Sequence, residues 1–526
     1  MPSGTQALSP LEADLLLLHP PAVFDFRGRR DLYLPFMGTS GDVPITPLYE
    51  YFPVGFKTLQ RFLGDRGHGV RLLNLASLLL RYPHLDVDQV IEALDVGLLG
   101  IDLHWLVHVQ GSLAIAQRVK RLRPDLPIIF GGISATYFAA ELMATPDVDM
   151  VMVGYDTHEP MDRLLRALRA GQSPSEVPNL WWKDRDGSIR QNGFSHQPRT
   201  FGCGIDWSSQ PEAPAIKGLP IREILTTQNA GCAHDCTWCG GSNQAFRRIN
   251  HCDHGRVHKS IDEVNYELGT LSRRAHVGAH HLYTVGAYNQ SDRQLGAFLD
   301  GLAKVAVRSV SIEQFYLPPD ELLTRLAAAN HRCTITLSPL IHDVQVAKLA
   351  GRGVYTNDEM EAWIDRALAA GIHGVDIWYF IGMPEQTDRL VFETIDYCEH
   401  LLARFAGANV NPMICPMIPF LDPGSSAFES PDRFGYHVFF RSLEQHRQGA
   451  MRASIINRIN YETKWLSREA LINVGFEAVK RLMEAKASVG MLPRSHVKRH
   501  NDAIDDVLEF LPTVHAADCI EVPAER

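Results

Sequence analysis

The apolar positions between residues 13 and 170 alternate between two rhythms. Segments 13–19, 69–76, 96–104, 127–130 and 148–153 are short runs dense in Leu, Ile and Val, as in strands covered on both faces. Segments 54–66, 87–94, 113–122, 135–144 and 159–168 repeat apolar residues at three- and four-residue spacing, the mark of one helix face. Five strands separated by helices predict a doubly wound, flavodoxin-like parallel sheet over residues 1–170. The stretch 20–53 is long for a strand–helix connection and rich in Pro, Gly, Tyr and Phe, so a lid over the ligand face is expected there. Residues 171–220 break the rhythm and read as a linker, with a hairpin turning at Asp186-Gly187 and a proline-rich stretch from 208 to 220. Strand and helix then alternate again. Strands at 222–228, 281–286, 309–316, 334–337, 375–382 and 410–418 make six βα units over residues 221–425, an order that resembles a partial (β/α)6 TIM-like barrel. Residues 426–526 are mainly helical in pattern and form a cap.

Composition narrows the class. Of 526 residues, 45% are hydrophobic and 21% charged, and 51 basic against 61 acidic side chains leave a net charge of −10. That balance excludes a general polyanion binder, so no nucleic-acid partner is expected. The early apolar run at 15–18 is too short for a membrane span or a signal sequence, no transmembrane segment is expected, and the chain reads as cytoplasmic. Nine cysteines, an odd number in a chain of this length, do not make a disulfide framework and suit a reducing compartment.

Three of those cysteines carry the strongest signal. Cys232, Cys236 and Cys239 are spaced C-x3-C-x2-C directly after the strand at 222–228, which places them at the carboxyl end of a barrel strand, where barrel chemistry sits. Three thiolates on one face of a cubane cluster leave one iron without a protein ligand, and a small molecule can bind there. The same spacing also suits a structural zinc site with its fourth ligand elsewhere. In the N-terminal sheet, ligands lie beyond the carboxyl ends of the strands. The residues there are His19-Pro20-Pro21, Asp102-Leu103-His104-Trp105, Gly131-Gly132-Ile133-Ser134 and Gly154-Tyr155-Asp156. Gly131 and Gly132 permit close backbone approach to a bulky ligand or simply a tight turn, and Ser134 is placed to cap the next helix or to donate to the ligand. His104 and His108 stand four apart but lack the glutamate of a metalloprotease motif, and read as a loop opening over cofactor or substrate. Arg247 and Arg248 suit an anionic group or a solvated face. His251, Cys252, Asp253, His254 and His258 lack a second C-x2-C and make a weak case for another metal site.

The cysteine loop, with Trp238 before the third cysteine, resembles the signature of radical S-adenosylmethionine (SAM) enzymes. His19-Pro20-Pro21, Gly131-Gly132 and the Gly154-to-Glu159 stretch resemble the cobalamin-binding domain found before many such barrels. Two departures stand out. The acidic residue of the family's Gly-Gly-Glu-like stretch is missing at Gly286, and the Asp-x-His-x-x-Gly motif of some cobalamin enzymes is absent. Gly382-Met383-Pro384-Glu385-Gln386-Thr387 matches a Gly-x-Pro element of cobalamin-type radical SAM proteins. The whole order is similar to the B12-binding-domain radical SAM family.

That resemblance implies a [4Fe–4S] cluster on Cys232, Cys236 and Cys239, and SAM against Trp238, Gly286, Ser338 and Gly382. It implies cobalamin against His19, Pro20, His104, Trp105, Gly131, Gly132, Ser134, Gly154 and Glu159. The implied activity is that of a cobalamin-dependent methyltransferase, acting through a 5′-deoxyadenosyl radical on an unactivated carbon of a small metabolite or lipid. A flavodoxin or ferredoxin would serve as electron donor. The alternatives are a radical SAM enzyme that cyclises, rearranges or joins carbons without methyl transfer, and a non-catalytic iron–sulfur or cobalamin sensor.

Overall fold

The computed structural model describes residues 11–29, 53–200, 202–210, 223–286, 291–330, 332–416 and 421–518. Most of the stretch expected to form a lid, residues 30–52, lies outside the described residues. The first sheet has strands β1 (Leu11–His19), β2 (Val70–Asn74), β3 (Leu94–Asp102), β4 (Ile128–Gly131) and β5 (Met150–Met152), all parallel and ordered β2-β1-β3-β4-β5. This is the doubly wound order, with its switch point between β1 and β3. The run 15–18 explains itself in the packing. Leu16 and Leu18 enter the core under helix Val109–Leu122, while Leu15 and Leu17 enter the opposite core under helix Val54–Gly64. With both faces covered, every position of the strand is apolar.

Strands β6 (Leu180–Lys183) and β7 (Ile189–Gln191) form the expected hairpin, but they do not belong to a separate connection. They extend the first sheet antiparallel from β5, so that sheet runs on to residue 191. The remaining described linker residues are pinned. Residues 202–210 lie along helix Ile261–Ser272, where Glu267 accepts from the Ile205 amide and the Trp207 indole and pairs with Lys259 at 2.6 Å. Both partners of that pair are buried.

The second sheet starts with β8 (Glu223–Thr227); β9 (Asn229–Gly231) and β10 (Arg256–His258) pair antiparallel as a separate two-stranded sheet, with the cysteine loop and helix Asn243–Asn250 between them. It continues with β11 (His281–Val285), β12 (Ser309–Gln314), β13 (Cys333–Leu340), β14 (Gly374–Ile381) and β15 (Val410–Pro416). The six parallel strands run in order β8-β11-β12-β13-β14-β15 and do not close, matching a partial barrel. The C-terminal part adds an antiparallel pair, β16 (Tyr436–Val438) with β17 (Tyr461–Thr463), and the helices Arg468–Ser488 and Arg494–Asp518. Its residues Phe428, Tyr461, Phe476 and Leu482 share one core with Ile377 and Leu402 of the barrel, so the cap is continuous with the barrel.

Removing one partner of a buried ion pair leaves the other uncompensated, which costs about 3–5 kcal/mol. Glu267→Ala is therefore expected to lose stability on that order in urea unfolding. A loss below about 1 kcal/mol, the scale of a surface pair, would contradict the role given to Glu267 in pinning residues 202–210 to helix Ile261–Ser272.

Candidate active site at the facing strand ends

The cysteine loop is built by backbone contacts before any side chain matters. Gly231 has φ +75° and lies so close to the Gly255 carbonyl that a Cβ would stand 2.2 Å from it. The Cys232 amide donates to that same carbonyl at 3.0 Å. Behind the loop, Gly351 (φ +90°) leaves room for Asp235 and Cys236, and the Thr237 amide donates to the Ala350 carbonyl. Each sulfur faces a donor. The His234 amide lies 3.3 Å from Cys232 Sγ, the Gly241 amide 3.4 Å from Cys239 Sγ, and Arg352 Nε 3.0 Å from Cys236 Sγ. Burial pushes the Cys239 thiol well above its ordinary pKa, with Asp422 adding to the effect. Amide and guanidinium donors aimed at sulfur suit thiolates that carry a charged group. One zinc ion needs its thiolates about 3.8 Å apart, given bonds of about 2.3 Å. Among the described residues, the three cysteines are not a set of donors all within 4.8 Å of one another.

The other barrel residues read from the sequence gather at the same strand ends. Gly286 (φ +81°) follows β11 and packs against Asn229. Ser338 is buried on β13, and its carbonyl accepts from Arg352 Nη1 at 3.0 Å. Gly382 (φ +104°) follows β14, and its missing side chain leaves room for the Tyr461 hydroxyl. Trp238 lies against Phe380, ring centres 5.8 Å apart. Two members were not read from the sequence. Glu313, on β12, is half-buried and accepts from the Gly286 amide at 3.4 Å. Burial raises its pKa, opposed by Arg352 and that amide. An acid from the next strand thus stands beside Gly286, where the sequence has none. Arg352 lies 3.1 Å from the centre of the Phe315 ring, stacked between the cysteine loop and β13. No local motif announces either residue; a charged residue inside the apolar β12 run was the available signal for Glu313.

The N-terminal sheet presents its own carboxyl edge. Gly132 (φ +115°) approaches the His104 backbone so closely that a Cβ would lie 2.3 Å from its Cα. Gly131 ends β4, and Gly154 (φ +104°) follows β5, its amide donating to Thr136 Oγ1. His19 and Pro20 are enclosed, whereas the His104 side chain is 38% exposed. Ser134 is the second residue of helix Ile133–Tyr137 and does not cap it, because Gly132 occupies the cap position. Glu159 pairs with Arg163 on the open face of helix His158–Arg169. The buried acid of that corner is Asp156, which accepts from the Gly202 amide and from His158 and His196. Arg248 donates to the Gly424 carbonyl, which gives it a structural role. His254 contacts Asp253 and Tyr155, and the residues around it form no metal-sized group of donors.

The two edges meet at Asp422. Its carboxylate accepts from the Gly240 amide at 2.9 Å, next to Cys239, and from the Trp105 indole of the first domain. Around this point helix Ile133–Tyr137 packs on helix Asn243–Asn250, and Tyr137 Oη donates to Glu429 at 2.8 Å.

Residues 42–162 match the model of the B12 binding domain. A search of curated proteins returns no match. Among solved structures, the methyltransferase TsrM from Kitasatospora setae with cobalamin and a [4Fe–4S] cluster bound aligns at TM-score 0.58 and 15% identity, covering 94% of this chain and 99% of that one. The same enzyme with tryptophan and a SAM analogue aligns at 0.54 and 15% identity, covering 81% and 79%. The cobalamin-dependent radical enzyme OxsB, with aqua-cobalamin and SAM, aligns at 0.48 and 13% identity over 96% and 67%. The chain therefore has the fold of a cobalamin-dependent radical SAM enzyme, and its N-terminal sheet carries the B12-binding domain.

Burial raises the Asp422 pKa from 3.8 to about 6. The folded protein then holds a proton more tightly than the unfolded chain, so stability is full below about pH 4 and falls as pH rises through 6, by about 3 kcal/mol. Asn at this position stays neutral. The stability of Asp422→Asn relative to the parent is expected to improve by that order between pH 4 and pH 7 in urea titrations of the metal-free chain. A pH-independent difference would contradict the raised pKa of Asp422.

Proposed function

We propose that the chain is a radical SAM enzyme and, more narrowly, a cobalamin-dependent methyltransferase acting on an unactivated carbon of a small metabolite or lipid. The observation that carries this reading is the Trp105–Asp422–Gly240 bridge, which sets the carboxyl edge of the B12-binding sheet against the cysteine loop. Cys232, Cys236 and Cys239 would hold the cluster, with Trp238, Gly286, Ser338, Gly382, Glu313 and Arg352 around SAM. The first sheet's edge, at Trp105, Gly131, Gly132 and Gly154, would hold cobalamin; His19, Pro20, His104, Ser134 and Glu159 stand on or behind that edge. Bound there, the cluster supplies one-electron cleavage of SAM, and cobalamin a transferable methyl group.

The chain's own part is binding, orientation and exclusion of water. Glu313 accepts from the SAM ammonium in place of the acid missing at Gly286. Arg352 holds Cys236 Sγ and the β13 carbonyl together, fixing the loop against the SAM pocket. Asp422 keeps the two edges in register, so that substrate held between them faces both cofactors. Methyl transfer is favoured over other radical outcomes because TsrM, of like fold over nearly its whole length, is a methyltransferase. A cytoplasmic electron donor of the flavodoxin or ferredoxin class fits the reducing compartment.

Two experiments test this. Anaerobic protein reconstituted with iron, sulfide and hydroxocobalamin is expected to retain cobalamin through gel filtration and, with SAM and reductant, to release 5′-deoxyadenosine and S-adenosylhomocysteine. Cys236→Ala should release no 5′-deoxyadenosine. Failure to retain cobalamin would contradict the methyltransferase reading, and absence of 5′-deoxyadenosine would contradict the radical SAM reading. Separately, Glu313→Gln is expected to weaken SAM binding about tenfold or more, the scale of one charge-assisted hydrogen bond. Unchanged SAM affinity would remove Glu313 from the pocket.

A further inference from the structure

At the switch point of the first sheet, four side chains converge that the proposed chemistry does not use as a group. His19 ends β1, Asp102 ends β3, and His104 and His108 follow on the loop into helix Val109–Leu122. Each offers one donor atom, and the four atoms lie within 4.8 Å of one another. His19 Nδ1 and His104 Nδ1 lie 2.8 and 2.7 Å from the same oxygen, Asp102 Oδ2. The His108 ring meets the His19 ring edge-on, centres 4.7 Å apart. His19, Asp102 and His108 are buried, and His104 is the one member open to solvent.

The backbone holds this arrangement from outside. Asp102 Oδ1 accepts the His104 amide at 2.8 Å, and Ser112 Oγ donates to the Asp102 carbonyl at 2.7 Å. Gly132 lets the His104 backbone press against it, and Gly111 does the same for the Pro21 carbonyl, where a Cβ would lie 1.8 Å away. Both sides of the loop are thus fixed by contacts that leave no room for a side chain.

We propose that His19, Asp102, His104 and His108 form a site for one divalent transition-metal ion, zinc(II) first among them, separate from the cysteine loop. Three imidazoles and one carboxylate are borderline donors suited to zinc and iron(II). Bonds of about 2.1 Å place donors about 3.0 Å apart when cis, about 3.4 Å in a tetrahedron and about 4.2 Å when trans. Donors already spread from 2.7 Å to no more than 4.8 Å reach any of these by small side-chain rotations. The ion gives the buried Asp102 carboxylate a positive partner, and each coordinating Nδ1 moves its proton to Nε2 or releases it. This inference does not rest on the cobalamin or methyl-transfer reading.

The test uses the full chain with Cys232, Cys236 and Cys239 all changed to Ala, so that no thiolate loop competes. After chelator treatment, zinc(II) is expected to bind at one equivalent per chain, and cobalt(II) as a probe to give d–d bands in the visible range. His104→Ala, at the exposed position, and Asp102→Asn should weaken zinc binding at least about tenfold, with circular dichroism unchanged for His104→Ala. No stoichiometric zinc in the parent, or equal affinity in well-folded His104→Ala, would overturn the proposal. A cob(II)alamin EPR splitting that changes on 15N-histidine labelling would place His104 on corrin cobalt and overturn it as well.

Discussion

A single half-buried carboxylate ties the two halves of this molecule together. Asp422 is held by a backbone amide beside Cys239 and by an indole from the other domain. A carboxyl group out of water keeps its place only where donors meet it, because leaving one unmet costs more than the bond itself returns. Its donors come from different sheets, so satisfying it also fixes how the two strand edges face each other. Desolvation at the junction raises its pKa to about 6, opposed by the hydrogen bonds from Gly240 and Trp105.

The same economy of charge runs through the barrel mouth. Arg352 is stacked on Phe315 and shared between a cysteine sulfur and the β13 carbonyl, and Glu313 faces the amide of Gly286. Each group belongs to the carboxyl end of a different strand or to the loop after it. An open six-stranded sheet brings such residues together while leaving one side free. The first sheet closes part of that side, and the chain around 421–430 is wedged between them by Gly240, Arg248 and Tyr137.

Much of the fold was legible because the period of the apolar pattern is a direct consequence of which faces are covered. The run at 15–18 reads as a doubly covered strand because two cores do take alternate residues. The cysteine loop was legible because its spacing is local. What the sequence hid was nonlocal. Glu313 lies one strand beyond the position where an acid is expected, and only the parallel register of β11 with β12 brings it to Gly286. Asp422 and Trp105 are more than three hundred residues apart and carry no shared pattern. His104 and His108 looked like a loop over a ligand, since nothing in their spacing shows that His19 and Asp102 come from neighbouring strands. The hairpin at 180–191 was correctly seen as a hairpin, but its pairing to β5 depends on a register that local turn chemistry does not encode.

The central claim is that two cofactor edges face one another across the Asp422 junction. The direct measurement is the microwave power saturation of cob(II)alamin bound to the full protein, with the iron–sulfur cluster oxidised and then reduced. Two paramagnets facing each other relax together, so the cob(II)alamin signal is expected to become much harder to saturate when the cluster is reduced. That change should vanish in Cys236→Ala. Identical saturation in both cluster states, with both cofactors at full occupancy, would contradict the facing arrangement.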